Sequence, residues 1–296
     1  MEEIIFPQNL QIISKYSFTT CANLKKVDLP SSVRYIGESA FSRSGLEVIS
    51  FPDKLVKLEA RAFKMCKDLK QVEVNKNLSK IPQACFYECT HLEEINISES
   101  VRYIGDSAFS HCESIKEINL SGVEVIEKYA FYKCNSLESV KIPKVEILCE
   151  GVFSNCDKLK SIEIPEKVTV IPHHCFFECT ELKEVKLPSS IKEIAENAFF
   201  GCINLESINI PEGIEKIYHS EFFDCQNLKS IKIPKSINFI DEDTFANCKS
   251  LETVEIENES TIINYWAFAG CQNLKNIRIG SKNYTKDEFK EMVKFI

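Results

Sequence analysis

The sequence predicts an α/β repeat solenoid, rich in β-strand and with short helical or 3-10 turns, built from about 12 repeats of 22–23 residues. A phenylalanine recurs every 22 or 23 residues, a cysteine follows most of these phenylalanines three residues later, and aliphatic residues recur at fixed repeat positions. Such a period is typical of stacked repeat arrays. The repeat phenylalanines are Phe18, Phe41, Phe63, Phe86, Phe109, Phe131, Phe153, Phe176, Phe199, Phe222, Phe245 and Phe268.

The unit read from residues 182–204, LKEVKLPSSIKEIAENAFFGCIN, explains each element in order. The pattern L-x-x-V-x-I alternates as a strand does, and proline then ends the strand. S-I-x-x-I predicts a second short strand, and A-F-x-x-C predicts a single helical or 3-10 turn. One unit cannot bury its apolar residues alone, so neighbouring units must stack in parallel around a common core.

Charges after the ladder leucines support the same parallel stack. They alternate in sign over most repeats, beginning with Lys25, Glu47, Lys70 and Glu93. Like charges directly opposite each other destabilise neighbouring strands, so alternation helps to fix the register. We interpret this row as structural pairing.

The cysteines follow the repeat as well. Of the 14 cysteines, 11 occupy the position three residues after the phenylalanine, where Ser44 is the exception. Free cysteine packs as a small hydrophobe, and in-register thiols point the same way, which is unsuited to disulfide geometry. We therefore expect reduced thiols.

Residues 171–180, IPHHCFFECT, raise the question of a metal site or a Cys–His nucleophile pair. The same element four repeats earlier reads IPQACFYECT, so His173 and His174 stand at variable positions. Cys175 takes a position that is small in other repeats, and Cys179 belongs to the general cysteine row. Zinc needs ligands that converge at about 2.0–2.3 Å. Core-filling positions do not suggest this, and we expect no metal, no cofactor and no enzymatic activity.

The composition of the chain limits the kinds of partner that the protein can bind and the compartments in which we expect to find it. The net charge of −8 argues against binding to nucleic acid or to anionic membranes. No apolar run approaches the roughly 20 residues that a bilayer requires. The start, MEEIIFPQNL, is acidic where a signal peptide is basic. We expect a cytoplasmic protein, or a cell-surface one if the chain is a fragment or is exported by another route.

The two ends of the repeat array are expected to differ. Residues 1–281 are expected to form the solenoid and residues 282–296 a C-terminal capping segment, with a helix over 286–296. Thr285 and Glu288 fit a capping box, and Phe289, Met292, Val293 and Ile296 would share one apolar helix face. The N-terminal strand edge has no such cap, and we expect either that upstream repeats were removed or that this edge self-associates.

The repeat resembles the BspA-like leucine-rich repeat family. Matching stretches are LPSSVRYIGESAF (29–41), LPSSIKEIAENAF (187–199) and IPKSINFIDEDTF (233–245), and the resemblance covers about residues 4–281. It implies a right-handed leucine-rich-repeat horseshoe that binds other proteins, often as an adhesin. It carries no catalytic residues to transfer.

Two sets of residues are candidates for contact with a partner. The first, the sheet-face row, lies between the two inward residues of the first strand and is expected on the concave side. Its members are Asp28, Glu73, Asn96, Asn119, Lys141, Glu163, Lys186, Asn209, Lys232 and Glu255. The second, the aromatic row, follows the repeat phenylalanine and comprises Phe177, Phe200 and Phe223. Each set has a structural alternative. The sheet-face row would then be solvated strand residues, and the aromatic row would be rings that pack between coils.

These observations favour a non-catalytic scaffold that binds a polypeptide partner, of which an adhesin would be one form. The alternative is a structural spacer or assembly module with no dedicated ligand. An enzyme would need chemistry-bearing residues that break the repeat. The acidic turn Asp241–Asp243 is the nearest feature of that kind, and we interpret it as solvated.

Overall fold

A computed structural model of the protein describes residues 3–293 and divides into two compact units, Met1–Ile147 and Leu148–Ile296. Within each unit the repeats form a β-solenoid, and the two units together contain about 12 coils. Each coil contributes two short strands, one to each of two faces. This confirms the predicted repeat architecture, while the right-handed horseshoe form stays a prediction.

The first unit has its odd-numbered strands on one face and its even-numbered strands on the other. The strands are β1 (Glu3–Ile4), β2 (Ile12–Ile13), β3 (Lys26–Val27), β4 (Tyr35–Ile36), β5 (Val48–Ser50), β6 (Lys57–Leu58), β7 (Gln71–Glu73), β8 (Lys80–Ile81), β9 (Glu94–Asn96), β10 (Tyr103–Ile104), β11 (Glu117–Asn119), β12 (Val125–Ile126), β13 (Ser139–Lys141) and β14 (Ile147–Leu148). Strands β1, β3, β5, β7 and β9 follow one another in one sheet, and β11 pairs with β13. All these pairs are parallel.

The second unit repeats the arrangement and adds a terminal hairpin. Its elements are β15 (Ser161–Glu163), β16 (Val170–Ile171), β17 (Glu184–Lys186), β18 (Glu193–Ile194), β19 (Ser207–Ile208), β20 (Lys216–Ile217), β21 (Ser230–Ile233), β22 (Phe239–Ile240), β23 (Thr253–Ile256), β24 (Ile262–Ile263), β25 (Asn276–Ile279), β26 (Lys282–Tyr284) and α1 (Lys286–Val293). Equivalent repeat positions face each other across the ladder, as Val254 faces Ile231 and Ile277. Among the described strands, only the last pair, β25 with β26, is antiparallel.

The core of each unit is filled by ladders of equivalent residues. In the second unit the rings of Phe176, Phe199 and Phe222 are fully buried and stack with centroids 5.4 Å apart at each step. Ladder leucines such as Leu182 and Leu205 are fully buried beside them. The period in the sequence is therefore the period of a continuous apolar interior.

The A-F-x-x-C stretches differ from the prediction, because they are neither helical nor 3-10. Within residues 3–293 the only helix is α1, and these stretches are runs of hydrogen-bonded turns. With the exception of Trp266, the residues two before and two after the repeat phenylalanine adopt a left-handed backbone, as His174 (φ 56°) and Glu178 (φ 55°) do around Phe176. Left-handed residues cannot belong to a right-handed helix, so the α/β description is wrong for these turns.

This backbone alternates two kinds of hydrogen bond. The amides of His174, Phe176 and Glu178 donate to carbonyls of the next coil, at 3.3, 2.9 and 2.7 Å. The amides between them donate within their own coil, as Phe177 does to the His174 carbonyl at 3.2 Å. A helix would direct every bond along its own axis and could not link coils. The links offset the cost of a left-handed residue, about 1–2 kcal/mol.

The cysteine row makes a hydrogen bond that the sequence did not reveal. The thiol of Cys202 donates to the carbonyl of Phe176 in the preceding coil at 3.2 Å, and that of Cys225 donates to Phe199 at 3.4 Å. The same bond recurs in both units. A small side chain that can also donate a hydrogen bond therefore suits this position, which favours cysteine over alanine.

The C-terminal end carries the helix. Glu288 accepts hydrogen bonds from the Thr285 amide and hydroxyl at 2.7 and 2.8 Å, and its own amide donates to that hydroxyl at 3.2 Å. Phe289 and Val293 are buried, and the Phe289 ring meets Phe268 edge-on at 5.5 Å. Ile296, expected on the same helix face, lies outside the described residues. Among residues 3–293, no helix combines the length and hydrophobicity needed to cross a membrane.

The left-handed positions can be tested at Asp243 (φ 56°). Asp243→Gly should be at least as stable as the wild type, because glycine adopts this conformation without steric cost. Asp243→Val should lower the free energy of unfolding by about 1–2 kcal/mol, because a β-branched side chain clashes there. Urea unfolding measures both, with Glu242→Val at the neighbouring exposed position as the control. Equal stabilities of the glycine and valine variants would contradict the assignment.

Candidate binding surfaces

The sheet-face row lies on the outer side of the first strands, as expected from the alternation of inward and outward residues. Glu73 and Glu255 are half-buried. The other members are exposed, namely Asp28, Asn96, Asn119, Lys141, Glu163, Lys186, Asn209 and Lys232. Register brings members side by side within each unit, as the pairs Asn119–Lys141 and Glu163–Lys186 show.

Some members of the row interact with neighbours on the same face. The Asn96 amide donates to the Glu73 carboxylate at 2.6 Å, and Glu255 forms an ion pair with Arg278 at 2.8 Å. Lys232 forms one with Glu257 at 2.8 Å, which raises the pKa of Lys232 and lowers that of Glu257. Exposed pairs of this kind contribute little to stability. They do fix these side chains in place.

Three adjacent members in the second unit are different. Within the described residues, the side chains of Glu163, Lys186 and Asn209 make no hydrogen bond or ion pair. Asn209 also lines, with Lys232, a shallow hollow of about 490 Å³. These side chains remain available to a partner.

The aromatic row forms a stack on the outside of the turns. The rings of Phe177, Phe200 and Phe223 are half-buried and lie 4.9 and 4.8 Å apart, with interplanar angles of 10° and 7°. This stacking supports the alternative of packing between coils. A role for these rings in binding a partner stays a prediction.

The His–Cys segment does not assemble a reactive site. His173 is exposed, whereas Cys175 and Cys179 are fully buried, and Cys179 donates to the Phe153 carbonyl at 3.0 Å. His174 Nδ1 is shielded from water and has no partner among the described residues. Burial raises the pKa of both thiols, which disfavours the nucleophilic thiolate. Nowhere in residues 3–293 do three His, Cys, Asp or Glu side chains come together as a metal would require.

A buried carboxyl group was not anticipated. Glu221 is 1% exposed and occupies the position before the repeat phenylalanine, where most coils have a small residue. Its carboxyl accepts a hydrogen bond from the Tyr218 amide at 2.8 Å. Burial, with smaller contributions from Glu193 and Asp241, raises its pKa well above 4.5, although Lys216 opposes this. Burial therefore favours the protonated form of this carboxyl group.

A groove at the last coil was also missed. It measures about 540 Å³ and lies between residues 264–274 and helix α1. Tyr265 and Trp266 stand at its rim, 46% and 52% exposed, with ring centroids 4.7 Å apart. The only tryptophan in the sequence could have drawn attention to this place.

Thiol reactivity tests the burial of the cysteines. Cys21 and Cys149 are half-buried, whereas the other 12 of the 14 thiols are buried. With an aromatic disulfide reagent, these two should react at least about 100-fold faster than the rest, because buried thiols wait for local opening. Urea should make all 14 reactive. Rapid native reaction of more than two thiols would contradict the burial.

Glu221 gives a pH-dependent prediction. Because its pKa is raised in the fold, stability should decline as the pH rises above the unfolded value of 4.5. Glu221→Gln should raise the free energy of unfolding at pH 8 by at least about 1 kcal/mol and flatten its pH dependence. Thermal unfolding from about pH 5 to 8 measures this, with the exposed Glu196→Gln as the control. A wild type that is as stable as Glu221→Gln at pH 8 would contradict it.

Comparison with known proteins identifies the repeat. The family model for the BspA type leucine-rich repeat region, which describes six copies, matches residues 1–116, 103–229 and 192–291. A comparison with curated proteins found no match.

Solved structures show the same architecture. A leucine-rich repeat protein from Bacteroides ovatus is 27% identical, with 92% of this chain and 71% of that chain covered and a TM-score of 0.66. A leucine-rich cell surface protein from Faecalibacterium prausnitzii is 26% identical, with 98% and 81% covered and a TM-score of 0.59. The pneumococcal vaccine antigen PcpA, at 19% identity, 92% and 74% coverage and a TM-score of 0.62, is alike in fold alone.

Proposed function

The chain belongs to the BspA-type leucine-rich repeat family, and from this premise we propose that it is a non-catalytic scaffold that binds a polypeptide through the sheet-face row. Leucine-rich repeat proteins commonly serve protein–protein interaction and are typically non-enzymatic. Repeat arrays present extended surfaces whose outward residues vary while the inward residues hold the fold.

One observation carries the proposal. Glu163, Lys186 and Asn209 occupy equivalent positions on adjacent coils, point away from the core and make no polar contact within the described residues. These three outward side chains are an acid, a base and an amide, whereas the inward positions of the same strands carry similar apolar residues. No hydrogen bond or ion pair among the described residues accounts for this variety, and a mosaic surface for a polypeptide would account for it.

The second candidate, a structural spacer, is favoured by other members of the row. Glu73 and Asn96 satisfy each other, as do Glu255 and Arg278. At these places the outward residues behave as structural pairs. A dedicated ligand would therefore bind mainly where the outward residues are not paired with one another.

The location belongs to the same proposal. The Faecalibacterium prausnitzii relative is described as a cell surface protein, which supports an adhesin-like form of the function. In that form the partner would be a protein presented outside the cell. In the cytoplasmic form expected from the sequence, the same surface would bind a protein inside it.

The test compares two triple variants. Glu163→Ala, Lys186→Ala and Asn209→Ala together should reduce the yield of partner proteins in pull-downs about tenfold or more, because central contacts dominate binding. The matched control, Glu215→Ala, Lys192→Ala and Thr169→Ala, removes an acid, a base and a neutral polar side chain that are exposed on the other face. Circular dichroism checks that both variants fold. Equal retention by the two variants would reject the sheet-face row as the binding surface.

A further inference from the structure

The last coil ends a ladder of amide donors. In the coils before it, the amide of the repeat phenylalanine and that of the second residue after it donate to the next coil. Phe222 donates to Thr244 at 2.9 Å and Asp224 to Ala246 at 2.8 Å. The equivalent residues of the last coil are Phe268 and Gly270. Within residues 3–293, neither of these two amides meets an acceptor.

The terminal groove, defined above between residues 264–274 and α1, lies beside these two donors. Phe268 and Gly270 both line it, together with Trp266, Phe289 and Val293. Because the equivalent amides of earlier coils point to the next coil, these two amides are expected to point out of the last coil. Phe268 is only half-buried, whereas its equivalents from Phe41 to Phe245 are fully buried. The groove therefore offers two backbone donors, separated by one residue, against an apolar wall.

The charge of the groove has one sign. Lys286 and Lys290 are its only charged lining residues among those described. Lys286 Nζ is held in place, because it donates to the carbonyls of Cys271 and Gln272 at 3.1 and 2.8 Å. Lys290 is exposed at the rim. An occupant with a carboxylate would find a complementary charge there.

We propose that the terminal groove binds a polypeptide segment that carries an acidic residue beside an apolar one. Alternate carbonyls of the segment accept from the Phe268 and Gly270 amides, as carbonyls of the next coil do elsewhere. An apolar side chain covers Phe268, and the carboxylate faces Lys290. This is a form of edge recognition in which main-chain bonds orient the segment and side chains select it. The site is separate from the sheet-face row.

The chain itself supplies a probe. Residues 239–247, FIDEDTFAN, include the carbonyls of Thr244 and Ala246 that accept these bonds in the preceding coil, and they also provide three acids and two phenylalanines. A synthetic peptide of this sequence should change the fluorescence of Trp266, the only tryptophan, with a Kd of about 1 mM or tighter. In the same titration, hydrogen exchange of the Phe268 and Gly270 amides should slow.

Matched variants show whether the peptide occupies the terminal groove. Lys290→Glu should weaken the peptide about fivefold or more, and Lys235→Glu, an exposed lysine outside the groove, should not. The triple variant of Glu163, Lys186 and Asn209 should bind as the wild type does, so the two proposals can fail separately. A response equal to that of a scrambled peptide, no exchange protection, or binding only after deletion of residues 294–296 would overturn the proposal.

Discussion

Hydrogen bonds between successive coils, made by every second amide of the turn stretch, are the interaction on which the rest of the structure depends. They require left-handed residues on both sides of the repeat phenylalanine, and they hold each turn directly over the next. The phenylalanine rings can then stack, and the thiols can reach the carbonyls of the preceding coil. Without this ladder, the turn stretches would not stack, and the two parallel strand faces would not enclose a core.

The sequence predicted those features of the fold that the side chains of the repeat determine. The period, the parallel pairing, the inward ladders and the outward position of residues such as Lys186 all follow from apolar spacing. The turn conformation was not predictable in this way, because 20 non-glycine residues in the described range adopt positive φ and only Gly151, Gly201 and Gly270 mark such positions in the sequence. Tertiary hydrogen bonds, rather than local preference, select the conformation.

The candidate surfaces were predictable to different degrees. Alternation along a strand placed the sheet-face row outside, yet it could not show that Asn96 donates a hydrogen bond to Glu73 while Glu163 makes no hydrogen bond or ion pair within the described residues. That distinction depends on side-chain reach across the ladder. Glu221 and the terminal groove depend on contacts between elements that the repeat pattern does not record. In both places the sequence departs from its own template, and such departures are where a function can be added to a repeat scaffold.

Because successive coils meet through the same kinds of contact, such a chain can change in length by whole repeats. Each coil presents donors on one side and acceptors on the other, so a duplicated stretch of about 23 codons would encode a coil that fits between its neighbours without new complementarity. Recombination between similar repeats can therefore lengthen or shorten the array by whole coils. An insertion into the repeat that is not a whole number of 22- or 23-residue units would put the phenylalanines out of line and interrupt the ladder.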